Sequence, residues 1–280
     1  MHFDVTHPEI LEIVRLALAE DIGTGDITTN LCVPAEVMAS ARMIARQSMT
    51  LAGIELLPLV FESIAPGACV IDIHHQSGKH LKDGDEIAFV RGPARALLTG
   101  ERVVLNFVQR LSGVATFASA FAALLEGTRC KVLDTRKTTP GLRRLEKMAV
   151  AAGGGVNHRV GLFDAVLIKN NHITIAGGVR PALERTKDAG VKVEIEVRTR
   201  AELDEALACG VKHLLLDNLT PEEARQWVAY INSRATVELS GGITLANARA
   251  YAEAGADFIS SGAITHSAPA VDINFRLQLD

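Results

Sequence analysis

Between residues 130 and 261, six short runs rich in strand-forming apolar residues alternate with segments of helical period, and this alternation constrains the fold more than any other feature of the chain. The runs are CKVLD (130–134), FDAVLIK (163–169), KVEIEV (192–197), KHLLLD (212–217), ATVELS (235–240) and ADFISS (256–261). Residues 180–189, 201–209, 221–231 and 245–254 are amphipathic, and three of these segments stop beside Gly190, Gly210 or Gly255, which suit a left-handed helix C-cap. Strands joined through helices pair in parallel. Six such units suit an α/β barrel better than an open sheet.

The first hundred residues have a different grammar. A helix is expected over residues 8–20, followed by short alternating strands with turn signals at Ala65-Pro66-Gly67 and Asp83-Gly84-Asp85. This reads as a smaller α+β domain, placed at residues 1–110, with the barrel domain at 111–267. A long helical stretch over 97–125 joins the two, and residues 268–280, with a candidate strand at 271–279, are expected to return to the first domain's sheet.

With 280 residues, 48% of them hydrophobic, the chain can bury a large core. Its net charge of −4 argues against nucleic acid as a partner, which demands a broad basic field. Any bound anion must meet a local positive site. From Arg129 to Lys169, nine Lys and Arg residues face only Asp134, Glu146 and Asp164, a concentration that is either a solvated basic face or such a site. Cys32, Cys69, Cys130 and Cys209 lack the close pairs of a zinc or redox motif and read as reduced thiols. The N-terminus MHFDVTHPEI has neither a basic start nor an apolar run, and no uninterrupted apolar stretch approaches the ~18 residues of a membrane span. A cytoplasmic location is expected.

In an α/β barrel, functional side chains gather where the strands end. The runs here end in Asp134-Thr135-Arg136-Lys137, Lys169-Asn170-Asn171-His172, Asp217-Asn218, Ser240-Gly241-Gly242 and Ser260-Ser261-Gly262, while the third run puts Glu194 and Glu196 on one strand face. One polar strand end is ordinary turn chemistry. Six converging ends carrying both signs of charge point to an active site. The loops at Ser240-Gly241-Gly242 and Gly262 offer unobstructed backbone amides to a phosphate, although each alone reads equally well as a tight turn. Gly153-Gly154-Gly155-Val156-Asn157-His158-Arg159 is a flexible-backbone segment ending in a ring donor and a planar fork, and Arg159 can grip a carboxylate through two bonds. His158 by itself reads more simply as a structural histidine.

Thr135-Arg136-Lys137-Thr138-Thr139-Pro140-Gly141-Leu142-Arg143, the glycine run ending in Asn157-His158-Arg159, and Leu167-Ile168-Lys169-Asn170-Asn171-His172 closely resemble the quinolinate phosphoribosyltransferase family. So do Glu20-Asp21-Ile22-Gly23-Thr24-Gly25-Asp26, Leu98-Thr99-Gly100-Glu101-Arg102, Ser112-Gly113-Val114-Ala115-Thr116, Leu215-Leu216-Asp217-Asn218 and Ser240-Gly241-Gly242-Ile243. The likeness covers nearly the whole chain in order. It implies an N-terminal open-faced α+β sandwich followed by an incomplete, about seven-stranded α/β barrel, working as a homodimer with shared active sites. It further implies that Arg136, His158, Arg159 and Lys169, with Arg102 from the partner subunit, bind quinolinate. Lys137, Glu196 and Asp217 would carry the catalysis, Glu196 and Asp217 holding Mg²⁺ partly through water, and Ser240, Gly241, Gly242 and Gly262 would hold the 5′-phosphate of phosphoribosyl pyrophosphate. Two positions depart from the pattern. Asn170 stands where an acidic residue is expected, and Arg198 follows Glu196 where an acidic or small polar residue is expected; Arg198 is expected to face solvent.

The activity so implied is decarboxylating phosphoribosyl transfer in NAD biosynthesis, giving nicotinate mononucleotide, pyrophosphate and CO₂. A cationic pocket suits it, because a dianionic pyridine must lie beside a highly anionic donor. Loss of pyrophosphate gives the ribose oxocarbenium character, and attack by the ring nitrogen makes a pyridinium that stabilises the carbanion left by the departing 2-carboxylate. Two rivals remain open. Lys137 or Lys169 at a strand end suits a Schiff-base aldolase. A phosphometabolite-binding protein, resembling the molybdenum-transport-associated homologues, would use the same fold without turnover.

Overall fold

The computed structural model describes residues 4–280. The elements begin with α1 (Pro8–Ile22), α2 (Ile27–Cys32), β1 (Met38–Ala45), β2 (Met49–Thr50), α3 (Leu56–Ile64), β3 (Val70–Ile73), β4 (His80–Leu81), β5 (Glu86–Pro93) and α4 (Ala94–Leu124). They continue with β6 (Lys131–Leu133), α5 (Arg143–Ala152), β7 (Val166–Ile168), α6 (Asn170–Ala176), α7 (Val179–Arg185), β8 (Val193–Val197), α8 (Arg200–Ala208) and β9 (His213–Asp217). The last are α9 (Pro221–Ile231), β10 (Thr236–Ser240), α10 (Ala248–Glu253), β11 (Phe258–Ser260), α11 (Ala263–His266) and β12 (Ile273–Leu279). Two compact units result. One comprises Met1–Ser119, Thr139–Gly154 and Ser267–Asp280; the other comprises Ala120–Thr138 and Gly155–His266.

The first unit is built on an antiparallel sheet in the order β12-β1-β5-β3. Alternate residues of β1, Ala39, Ala41, Met43 and Ala45, are buried, as a strand with one covered face requires. Over this core α3 buries Leu56, Leu57, Val60 and Phe61, and the Phe61 ring stacks 6.2 Å from Phe275 of β12. Among the described residues, α4 is the one helix long and apolar enough to cross a bilayer by length and composition. Its buried residues, including Leu97, Val104, Val108, Leu111, Val114 and Ala118, recur at helical spacing.

A buried ion pair ties α4 to α5 within this unit. Glu146, wholly inaccessible, faces Arg110 Nη2 at 2.8 Å and accepts bonds from the Thr139 amide and hydroxyl at 3.0 and 2.8 Å. Removing one partner of such a pair strands the other charge in a low dielectric. Glu146→Ala is therefore expected to lower the unfolding free energy by about 3–5 kcal/mol; a urea midpoint within error of the parent's would contradict this.

The second unit holds six parallel strands in the order β6-β11-β10-β9-β8-β7. The first of these strands in the chain, β6, pairs with the last, β11, and β6 and β7 are the two ends of the order. Val156 adds a single parallel bridge to Leu133 on the far side of β6, the remnant of a seventh strand, and among the described residues nothing pairs it with β7. Gly153-Gly154-Gly155 immediately before it lack the side chains that sustain a longer strand. Ile195, Val197, Leu214, Leu216, Val237, Leu239 and Ile259 are at most 1% exposed and form one face of the sheet's core. On the opposite face, register places Glu196, Leu215 and Glu238 in one row across β8, β9 and β10, with Asp217 and Ser240 paired above them.

Candidate active site

At the C-terminal ends of these strands opens a cavity of about 810 Å³, lined wholly by residues of the second unit. Strand order divides it chemically. β6 and β7 deliver Arg136, Lys137 and Lys169, and the loop after Gly155 adds His158 and Arg159. β8, β9 and β10 deliver Glu196, Asp217 and Glu238. The Ser240-Gly241-Gly242 and Ser260-Ser261-Gly262 loops follow the adjacent strands β10 and β11, between the β6 cations and the acids. Of the residues given a catalytic or binding role from the sequence, Arg102 alone does not line the cavity; it is exposed on α4.

Local structure explains why each side chain stands where it does. Asp134, fully buried at the end of β6, accepts bonds from Asn157 Nδ2 at 2.7 Å and the His158 amide at 2.8 Å, pinning the glycine-rich loop. Arg159 Nη1 donates to the Ala165 carbonyl at 3.1 Å. Burial and the nearby Arg136 guanidinium push Arg159 below the ordinary arginine value, a sign that cationic groups crowd here. Lys169 sits at the N-cap of α6, where its amide donates to His172 Nδ1 at 2.9 Å. Thr265 Oγ1 donates to the Lys137 carbonyl at 2.7 Å. The Lys137 stem lies across Gly262, where an added Cβ would come within 2.7 Å of its Cδ.

His158 reaches across the interior to two buried acids, with Nε2 at 3.3 Å from Glu194 and 3.4 Å from Glu238. Among the described residues this trio is also a grouping whose ligand atoms, all within 4.8 Å of one another, have the make-up of a metal site. Its own chemistry supplies a cation instead. Burial opposes the imidazolium, but hydrogen bonding to Glu194 and Glu238 and their charges outweigh it, raising His158 to about 9. The Arg159 amide, 2.8 Å from Nδ1, favours the neutral Nε2–H tautomer. One backbone contact is the weaker influence, because a neutral ring would leave the negative charges of two buried carboxylates with no cation between them. Glu194, in turn, is held below the usual carboxylate range: its burial is overcome by His158 and by Lys192, 3.2 Å away.

The acidic side carries a feature that corrects the expectation for Arg198. Rather than facing solvent alone, Arg198 lines the cavity and places Nη2 2.9 Å from Glu196 Oε1 and 3.1 Å from Asp217 Oδ2. An isolated strand-end arginine has no sequence signature for this, since the second acid arrives from the neighbouring strand. Asp217 also accepts from Ser240 Oγ and Asn218 Nδ2, both at 2.7 Å. Gly241, at φ +97°, lies so close to Asn218 that a Cβ would fall 2.2 Å from its Oδ1. Glycine is required there by backbone conformation and by this neighbour. Glu238 went unnoticed in the sequence, although it precedes Ser240 by two residues and the same period-two reasoning that pairs Glu194 with Glu196 places it inward.

Such an arrangement can hold a dianion at its cationic end and a phosphorylated, metal-associated group along the glycine loops and acids. Comparison with known proteins agrees in extent. The model of the quinolinate phosphoribosyl transferase N-terminal domain matches residues 26–112, and that of its C-terminal domain matches residues 114–276. The probable nicotinate-nucleotide pyrophosphorylase (carboxylating) of Bacillus subtilis is 39% identical over 278 residues, covering 98% of this chain and 96% of that protein. The nicotinate-nucleotide pyrophosphorylase (carboxylating) of Mycobacterium leprae is 40% identical over 274 residues, covering 95% and 96%. The solved structure of the Francisella tularensis nicotinate-nucleotide pyrophosphorylase superposes with a TM-score of 0.93 at 38% identity, covering 97% of this chain and 98% of that one. With both domain models in order across the chain and relatives of this identity along its length, the protein belongs to the quinolinate phosphoribosyltransferase family.

Proposed function

We propose that this protein is a quinolinate phosphoribosyltransferase: it joins quinolinate to phosphoribosyl pyrophosphate and releases nicotinate mononucleotide, pyrophosphate and CO₂, working as a cytoplasmic homodimer. The observation that carries this is the two-ended cavity, with Arg136, Lys137, His158, Arg159 and Lys169 at one end and Glu196 and Asp217 beside paired glycine loops at the other. Arg136, Arg159, His158 and Lys169 fix the plane of the pyridine dicarboxylate and hold its nitrogen toward the ribose. Ser240, Gly241, Gly242 and Gly262 receive the 5′-phosphate. Lys137 stands beside Gly262 and faces the leaving pyrophosphate, where negative charge grows.

Glu196 and Asp217 fit Mg²⁺, because both present hard oxygen donors within reach of one cationic atom, Arg198 Nη2. When bound there, the ion neutralises charge on the donor's phosphates. As the nitrogen–C1 bond forms and the C1–pyrophosphate bond breaks, the ring becomes a pyridinium. The bond to the 2-carboxylate then breaks, its electron pair remaining on the ring carbon until a proton replaces CO₂. Incubation with quinolinate, phosphoribosyl pyrophosphate and Mg²⁺, followed by mass identification of the product, tests the reading. Binding of both substrates without nicotinate mononucleotide would reject it, as would equal turnover of nicotinate, which lacks the 2-carboxylate.

A pH dependence follows from His158. Its folded value lies above the ordinary 6.5, so the cation and the stability it contributes are complete below that pH and are lost as pH rises through about 9. Quinolinate affinity is expected to fall about ten-fold across that upper transition, because one positive charge near the dianion is lost. Glu238→Gln removes one of the acids that hold the proton, so the loss should move to lower pH. Isothermal titration from neutral to alkaline pH checks both, and a flat profile would take His158 out of the pocket's electrostatics.

A further inference from the structure

We propose that Arg198 is a resident counter-cation for Glu196 and Asp217, one that a divalent ion must displace before it can use these carboxylates. The inference rests on the function proposed above, in which this acid pair is the metal end of the site. Nη2 of Arg198 lies 2.9 Å from Glu196 Oε1 and 3.1 Å from Asp217 Oδ2, so one guanidinium nitrogen spans the two side chains a metal would bridge. Glu196 is 6% exposed in its side chain and Asp217 14%, and two carboxylates so placed repel each other unless a positive charge stands between them. Glu196 Oε1 has no hydrogen bond in good geometry, which leaves this ion pair as its compensation. Asp217 keeps Ser240 and Asn218 as further donors, so its carboxylate stays oriented when the guanidinium leaves.

Arg198 is also built to leave. Its backbone is anchored, with the amide donating to Glu202 at 2.8 Å just ahead of the Thr199 cap of α8. Its side chain is 44% exposed and long enough to swing out from that fixed point. One of the pair's two negative charges is thereby offset in the free protein, and a hydrated divalent ion meets a competitor of its own sign. Metal affinity for the free site is low as a result, and the ion enters together with the pyrophosphate donor, whose negative charge offsets the displaced guanidinium.

Mn²⁺ is a suitable probe, counted by electron paramagnetic resonance of the free ion with no donor or quinolinate present. In Arg198→Ala and Arg198→Gln, Mn²⁺ is expected to bind about ten-fold more tightly than in the parent protein, since both a competing ion pair and a repelling charge are gone. Adding Glu196→Gln to Arg198→Ala should abolish the gain. Arg198→Lys, which keeps the charge, should stay near the parent. Unchanged or weaker binding in both neutral variants, no detectable binding in any of them, or a gain that survives Glu196→Gln overturns the proposal. Turnover of quinolinate by the parent protein is scored separately. An enzyme that turns over without the Mn²⁺ gain sinks only this inference, whereas the gain without turnover sinks the proposed function.

Discussion

Lys137→Ala is expected to reduce turnover of quinolinate by about 10²–10³-fold, the range for removing a group that meets developing charge in a closed site. The protein should still fold. Lys137 is exposed, its stem rests on Gly262 rather than in the core, and its backbone carbonyl is held by Thr265 whatever the side chain. Truncation therefore removes a charge and no packed apolar group. If the interaction strengthens as pyrophosphate departs, the loss appears in kcat at saturating substrate; if it serves substrate and transition state alike, the loss appears in KM. Arg159→Ala, which removes a carboxylate fork, should instead raise the quinolinate KM. Steady-state kinetics on both folded variants separates these cases, and parental constants for Lys137→Ala would remove it from the reaction.

Mixing two dead proteins is expected to restore activity. Arg102→Ala and Lys137→Ala each lack one half of the site if Arg102 completes the partner's quinolinate pocket. In a mixed dimer one site then carries both lesions and the other carries neither. Co-refolding equal amounts gives a statistical mixture in which half the dimers are mixed and half their sites are intact, so about a quarter of the parental activity per site should return. An arginine that serves its own subunit leaves one lesion in every site and nothing returns. The shared arrangement requires Arg102 at the protein surface, and it is exposed on α4. Absence of recovery, with subunit exchange verified by differential labelling, would rule it out.

The parallel architecture was readable because each strand of the second unit declares itself by a run of apolar residues that must be covered on both faces. The polar ends were readable for the same reason, since whatever follows such a run leaves the core. Neighbour relations were not. That Arg198 would turn back between Glu196 and Asp217 depends on the spacing of β8 and β9, which no local pattern encodes. Gly241 is instructive in a different way. Its sequence context suggests an amide left open for phosphate, whereas its close contact with Asn218 means that a side chain there would disturb the Asp217 turn as well. Gly242 has open space where its Cβ would stand, but at φ +61° a side chain there would strain the backbone of the loop. Helices α5 and α6 escaped notice because α5 buries Glu146 and Lys147 along with its apolar residues, so its polar positions do not mark a solvent face, while the seven residues of α6 are too few to show a period.

Because β6 pairs with β11, with Leu133 opposite Ser260, ribosomal synthesis meets the site late. All the cations of the pocket except Arg198 have left the tunnel once Lys169 emerges, yet β11, the strand that pairs with β6, begins only at Phe258. The sheet of the first unit waits longer still, since β1 takes β12 as its partner and Ala39 meets Leu279 at the very end of the chain. Contacts this distant in sequence form slowly and expose unpaired strand edges meanwhile. A nascent chain stalled before residue 258 therefore has neither a finished pocket nor a finished sheet, and an early stop in translation would yield an aggregation-prone fragment rather than a partly active enzyme.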